Sequence, residues 1–384
     1  MISRGLPNSF GAFQTFYIKD LIPEQTTSSV AWIGSIQLFL TTLGCLFGGI
    51  FIDRGYLHGL IAVGTSLELV GLLATSFSTE HWQLLLAQGF CVGLGSGLLG
   101  LLPVAVISMY FEKKRMLAVG IASTGASFTG IFYPIVLRYL FSKIGFPWAV
   151  RSLAVFILAT NTISMIFMCL QSEGSPEGSR FTVSHLKDPA YSAFVGTFTL
   201  LMASVVVPFF FIPEYALQLG ISEAMAFNLL VAMNAANLLG RFIPNILADR
   251  YGGINALLPL TVVSTIMLII LPWIHALPTL LVFSLIYGFS SGSVMVLPAP
   301  IIVNLSPNSA ELGVRMGLAY ICAAFGSLLG NPISGAVKHD GSEGAVNEFK
   351  KVWWTAALIM GAGVLALCST RRLRVGSWFG KGCA

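Results

Sequence analysis

The sequence predicts an all-α integral membrane protein. Three observations carry that prediction. First, 55% of the 384 residues are hydrophobic and only 10% are charged, with a mean hydropathy of +0.83. A soluble domain carries roughly 25% charged residues, so this chain has too little polar side chain to cover a water-exposed surface. Second, apolar runs near the ~20 residues needed to cross a bilayer recur along the whole length. Third, the basic residues are scattered through short loops, the pattern of membrane topology. The net charge of +5 therefore carries no expectation of nucleic acid.

Eleven such runs are predicted, at 29–52, 60–78, 82–110, 116–141, 147–170, 190–213, 222–248, 255–275, 277–304, 312–337 and 350–370. A further stretch, Gly5–Ile18, is too short to span fully and reads as the outer half of a first helix whose inner half is missing, giving about 11–12 transmembrane helices. No basic n-region or small-residue cleavage site accompanies it, so a signal peptide is not expected. One set of alternate loops holds twelve Lys and Arg, among them Arg54, Arg115, Arg250 and Arg315. The other side holds seven, including Lys19, Lys143, Arg138 and Arg151. The positive-inside rule puts the first set in the cytosol. The expected setting is a multi-pass protein of the plasma membrane, with the lipid bilayer as its environment. The six cysteines make no CxxC or other metal spacing, so neither a disulfide framework nor a metal or other cofactor is expected.

The chain repeats itself at long range. Asp53-Arg54-Gly55 recurs as Asp249-Arg250-Tyr251-Gly252, an offset of 196, and Gly93, Gly97 and Pro103 recur as Gly288, Gly292 and Pro298, an offset of 195. The polar segment 171–189 separates the copies and reads as a cytosolic linker between bundles 1–170 and 190–384. Two parallel six-helix repeats joined in this way describe the major facilitator architecture, here with a truncated first helix.

Several stretches resemble one family within that architecture. Gly49-x-x-x-Asp53-Arg54, QGFCVGLGSGLLGLLP at 88–103, YFEKKRMLAVGIASTG at 110–125 and GFPWAVR at 145–151 are similar to the fungal monocarboxylate-porter-like carriers. So are NAANLLGRFIPNILADRYG at 234–252 and GLAYICAAFGSLLGNPISG at 317–335. The resemblance implies that Arg241 is the eighth-helix contact to a substrate carboxylate. Animal members often carry a proton-binding aspartate four residues earlier and a lysine in the first helix. Those positions are Asn237 and Asn8 here, so the charged substrate pair is reduced to one arginine. A larger solute with one acidic or enolic group then fits at least as well as a small monocarboxylate.

The residues themselves point the same way. Arg241 lies about 12 Å from the charged end of its apolar run at ~1.5 Å per residue. A charge at that depth usually faces a water-filled path or a partner. Asn234 and Asn237, seven and four residues earlier, share its helix face. A guanidinium fork there would meet a carboxylate bidentately, against the alternative of a structural hydrogen bond to helix carbonyls. The asparagines would bind solute or act as interhelical glue. Tyr133, before Pro134, and Tyr320 are further candidate contacts. Glu68 reads as the only carboxylate deep in a helix, either a proton carrier or an acid paired within its bundle. Asp53 with Arg54, and Asp249 with Arg250, mark cytosolic helix ends. The resemblance implies that they hold a cytosolic gate, with Arg115 as a gate partner. Phe209, Phe210 and Phe211 between Pro208 and Pro213 read as lipid-facing, with an outer hinge as the other possibility.

The expected function is secondary active transport of a small organic anion or carboxylate-like solute by alternating access, with proton coupling as one driving force. Efflux of a secondary metabolite is the close alternative. A non-transporting nutrient sensor is the alternative of another class, disfavoured because the tail after Thr370 has only fourteen residues. No Ser/His/Asp grouping, P-loop or paired ligand set is present, so an enzyme or an ATP-driven pump is not expected. The expected partner is the small-molecule substrate, and a monomer is the expectation for this architecture.

Overall fold

The structure, a computed structural model, describes residues 5–53, 56–100, 102, 115–167, 187–306, 312–337 and 345–375. Among these residues it is all-helical. The N-terminal lobe contains α1 (5–21), α2 (Thr27–Asp53), α3 (Leu57–Phe77), α4 (His81–Gly100), α5 (115–144) and α6 (146–167). The C-terminal lobe contains α7 (Pro189–Gln218), α8 (Glu223–Tyr251), α9 (Gly253–Trp273), α10 (277–305), α11 (Leu312–Ala336) and α12 (Ala345–Val375). Nine helices among the described residues are long and apolar enough to cross a membrane, with α5 and α6 counted as one.

Three local features depart from the sequence reading. The first helix does not stop at Ile18. Its turns Gly5–Asn8 and Phe10–Phe16 continue into a π turn, Tyr17–Leu21. Lys19 and Asp20 end the apolar run without ending the helix, because both are exposed at its outer end. The gap expected between 141 and 147 is a sharp corner at Gly145 (φ 75°) inside otherwise helical chain. Glycine alone adopts that conformation at little cost, and Pro147 opens the next helix with its preset φ. Phe209, Phe210 and Phe211 are fully buried rather than lipid-facing. Helix α7 breaks at Val206, and the second half packs inward against α1, with the Phe10 and Phe210 ring centroids 4.8 Å apart.

Asp188 caps α7 by accepting from the backbone N–H groups of Ala190 and Tyr191 at 3.1 and 3.4 Å. This cap ends the polar segment that the sequence reads as a linker, whose residues 171–186 lie outside the described residues. Arg315 is not a free loop cation. It donates to Asp188 Oδ2 and to the Leu305 carbonyl, each at 3.0 Å, and covers the Tyr191 ring at 4.9 Å. One guanidinium thus ties α7, α10 and α11 together at the end of the bundle where α7 begins.

The sequence repeat has a packing counterpart. A side chain at Gly97 would collide with the Leu40 carbonyl at 2.4 Å and with Gly44 at 2.8 Å. A side chain at Gly292 would collide with the Asn237 carbonyl at 2.3 Å and with Gly240 at 3.1 Å. Both lobes therefore use a glycine pair to bring two backbones into contact, α2 with α4 and α8 with α10. Without a hydrophobic driving force between helices in lipid, such close approach supplies the association energy. Gly292→Ala is expected to cost about 1–3 kcal/mol by forcing these helices apart. Gly361→Ala, whose new methyl would meet nothing nearer than 3.7 Å, serves as the control. Melting in detergent should fall for the first and hold for the second.

Candidate functional site

Helices α5 and α8 run antiparallel along the seam between the lobes. Their contacts form a ladder that begins at the end where α5 closes and α8 opens. Arg138 donates to the Ala224 carbonyl at 3.2 Å. Deeper, Gly130 leaves room for Asn234, whose Oδ1 a methyl there would meet at 2.3 Å. Ser127 Oγ then donates to Asn237 Oδ1 at 2.9 Å. Finally, Arg241 Nη1 donates to the Ser123 carbonyl at 3.0 Å. The ladder follows from residues three or four apart on each helix sharing one face.

The expected trio stands together on α8. Arg241 Nε donates to Asn237 Oδ1 at 2.8 Å, and Nη2 lies 3.6 Å from Met295 Sδ of α10. Asn237 Nδ2 donates to Ser291 Oγ at 3.2 Å. Asn234 Nδ2 donates to the Leu230 carbonyl of its own helix at 3.0 Å. Arg241 is 6% exposed and both asparagines are fully buried. A buried cation of this kind is tolerated only where its donors meet good acceptors. Here those acceptors are protein groups, and one of them belongs to the opposite lobe. The guanidinium is walled by α5, α8 and α10, and it lines neither the cavity beside Lys19 nor the groove between α9 and α12. The sequence reading missed Ser123, Ser127, Ser291 and Met295. The two α5 serines sit four apart, and their pairing with α8 becomes visible only once the helices are placed.

The other candidates are dispersed. Asn8 is buried in α1, three residues beyond Gly5, which abuts Thr129 of α5. Tyr133 is fully buried and meets Phe156 edge-on at 6.4 Å. Tyr320 stands edge-on to Phe198 of α7 at 5.3 Å. Glu68 lies away from the seam, accepting from Ser96 Oγ at 2.7 Å and Asn161 Nδ2 at 3.0 Å within the N-terminal lobe. Glu214, 6% exposed, is a further buried carboxylate, near the end of α7. The apolar run 190–213 stops at Pro213, yet the helix continues to Gln218. The proposed gate residue Arg54 lies outside the described residues, as do the side chains of Asp53, Arg115, Asp249 and Arg250.

On their outer halves the lobes touch at several further points. Lys19 Nζ pairs with Glu223 Oε2 at 2.8 Å. Thr27 Oγ1 donates to Glu214 Oε1 at 3.4 Å, and Ser28 Oγ donates to the Pro332 carbonyl at 3.2 Å. A cavity of about 780 Å³ at this end is lined by Lys19, Arg138, Tyr139 and Glu223. A second of about 620 Å³ is an apolar groove between α9 and α12. Among the described residues the lobes are in contact from this end down to the level of Arg241.

Arg241→Lys keeps the charge but lacks the planar fork that serves Asn237 and Ser123 together. It is expected to cost about 1–3 kcal/mol of stability, read as a lower detergent melting temperature than that of a surface control such as Lys351→Arg.

Comparisons with known proteins agree with this architecture. A model of the Major Facilitator Superfamily matches residues 8–242 and 193–379. The Aspyridones efflux protein apdF of Emericella nidulans is 32% identical over 94% of this chain and 73% of its own length. The Agnestins efflux protein AgnL12 of Paecilomyces divaricatus is 33% identical over 87% of this chain and 77% of its own. The MFS-type transporter pynF of Aspergillus niger is 31% identical over 95% and 84%. A crystal structure of the nucleoside transporter NupG shares the fold at a TM-score of 0.75, with 12% identity and 96% of each chain covered. With twelve helical segments in two lobes among the described residues, a glycine contact used twice and a family match along nearly the whole length, this chain belongs to the major facilitator superfamily, a group of multi-pass membrane transporters and not enzymes.

Proposed function

We propose that this chain exports an organic secondary product across the plasma membrane by alternating access, acting as a monomer. The observation that carries the reading is similarity along about nine-tenths of the chain to two proteins named for efflux, of aspyridones and of agnestins. The outward-closed lobes fit the stage at which such a carrier loads from the cytosol. The resemblance to monocarboxylate-porter-like carriers adds that the solute bears one acidic or enolic group.

Arg241 gives this reading a mechanism. Its bond to the Ser123 carbonyl spans the two lobes, so it has to break when they part. A solute oxyanion is the stronger acceptor for a guanidinium, since charge-assisted hydrogen bonds are roughly twice as strong as neutral ones. Solute arriving at the seam therefore takes the place of Ser123 and lowers the cost of opening. The gate roles of Asp53, Arg54, Arg115, Asp249 and Arg250 complete the cycle on the cytosolic side. Export against a gradient requires a coupled downhill flow, and proton entry is the one at hand.

Glu68 is the proton carrier in one version of this reading, but its two hydrogen bonds from Ser96 and Asn161 favour a structural role. Glu68→Gln is expected to keep the wild-type pH dependence of transport. A flattened pH profile would instead make Glu68 the proton carrier.

The direction of transport is tested by profiling organic extracts of cells and medium, with and without expression of the chain. The export reading expects a solute class that shifts to the medium on expression. Arg241→Ala should abolish that shift at unchanged membrane abundance. Accumulation inside expressing cells, or full activity of Arg241→Ala, would contradict it.

A further inference from the structure

A second polar locus lies on the opposite seam, where α1, α2, α7 and α11 meet. Gln14 of α1 and Asn331 of α11 are fully buried, and neither end of either amide has a hydrogen-bond partner among the described residues. Leaving such a group unsatisfied costs about 1–3 kcal/mol. Gln37 of α2 is a third amide with both ends unpartnered among the described residues, and the burial of Gln14 and Asn331 is not explained by stability.

Helix geometry places both amides in one angle between α2 and α7. On α1, a side chain at Gly11 would strike the Phe209 carbonyl of α7, and Phe10 lies where a side chain at Gly34 of α2 would be. At about 100° per residue, Gln14 falls between those two directions. On α11, Gly330 abuts Ala203 of α7 and Gly335 abuts Ser28 of α2, and Asn331 again falls between them. Their depths agree as well. The contact of Phe10 with Gly34 sets Gln14 level with Val30, and that of Gly335 with Ser28 sets Asn331 level with Trp32. At ~1.5 Å per residue the two levels differ by about 3 Å. Ser35 of α2 lies between the α1-facing Gly34 and Phe39, which meets Phe325 of α11 at 5.3 Å. The hydroxyls of Ser35 and of Ser334, one turn along α11 from Asn331, likewise have no partner among the described residues.

We infer that this junction is a subsite for the uncharged, hydrogen-bonding part of the solute. A primary amide presents a donor and an acceptor side by side. Its complement is a group with the same pair reversed, as in a lactam. An anion is a poor match, because the carboxylate of Glu214 stands in the same junction, bonded to Thr27. Arg241 on the α5–α8 seam and the amides on the α2–α11 seam thus divide the solute between them, an acidic group to one and a lactam-like group to the other. The inference rests on the export reading for the solute's route, but its test reads binding alone.

The test uses the purified full chain in detergent with 2-pyridone as probe, followed by saturation-transfer NMR. N-methyl-2-pyridone, which has lost the donor, and benzoate serve as controls. Binding of 2-pyridone but not of its N-methyl form is expected, with at least a tenfold loss of affinity in Gln14→Leu and Asn331→Leu. Both variants should melt no lower than wild type, since each removes a buried amide that no described residue satisfies. Failure of 2-pyridone to bind, equal binding by the leucine variants, or a marked loss of their stability would overturn the subsite. Benzoate binding that depends on Arg241 alongside a silent 2-pyridone would overturn the subsite and leave the export reading standing. Solute export without 2-pyridone binding would do the same.

Discussion

A guanidinium at the depth of Arg241 needs acceptors in every state of the protein, and here one of them is a backbone carbonyl of the other lobe. That constraint links helix packing to transport. As long as α5 and α8 stay together, Ser123 and Asn237 satisfy the charge. When they separate, the cation loses a partner, and stranding a buried charge costs about 3–5 kcal/mol. Only water or a solute can make up that loss. In the proposed cycle this is how occupancy biases the position of the lobes, since a ligand shifts an equilibrium only by its differential affinity for the two states.

The two kinds of helix contact suit that role. Within each lobe, glycines press backbone against backbone, α2 on α4 and α8 on α10. Such contacts have one good geometry and resist sliding. Between the lobes Gly11 on Phe209 and Gly335 on Ser28 do the same, and to these are added hydrogen bonds, an exposed ion pair and aromatic faces. The latter are individually weak, and exposed ion pairs contribute about 0–1 kcal/mol each. The hydrogen bonds and the ion pair of the seam are the contacts that a rocking carrier can exchange for water or solute.

Much of the fold was legible in the sequence, because membrane helices announce themselves by composition and length, and because the glycine repeat survives in both halves. The shared face of Asn234, Asn237 and Arg241 was legible for the same reason, since it depends only on spacing within one helix. What Arg241 touches was not legible. Its partners Ser123 and Met295 come from helices distant in sequence, and no local pattern pairs them. The buried triple phenylalanine was misjudged because hydrophobicity alone does not separate a lipid face from a packed one. Glu214 escapes the sequence pattern because the apolar run stops at Pro213, whereas tertiary packing carries α7 past it. The unsatisfied amides could be recognised only after burial and partners were known for each atom.

The most direct measurement of the account is the outer width of the α5–α8 seam. Tyr139 and Met225 are exposed near the outer ends of these helices, at 63% and 42%. Spin labels at Tyr139→Cys and Met225→Cys, with the native cysteines replaced, report that width by double electron–electron resonance in lipid nanodiscs. Two distances are expected, the shorter matching the closed seam, with a shift of weight to the longer one when Arg241 is replaced by alanine. A single distance that ignores the loss of Arg241 would contradict that expectation.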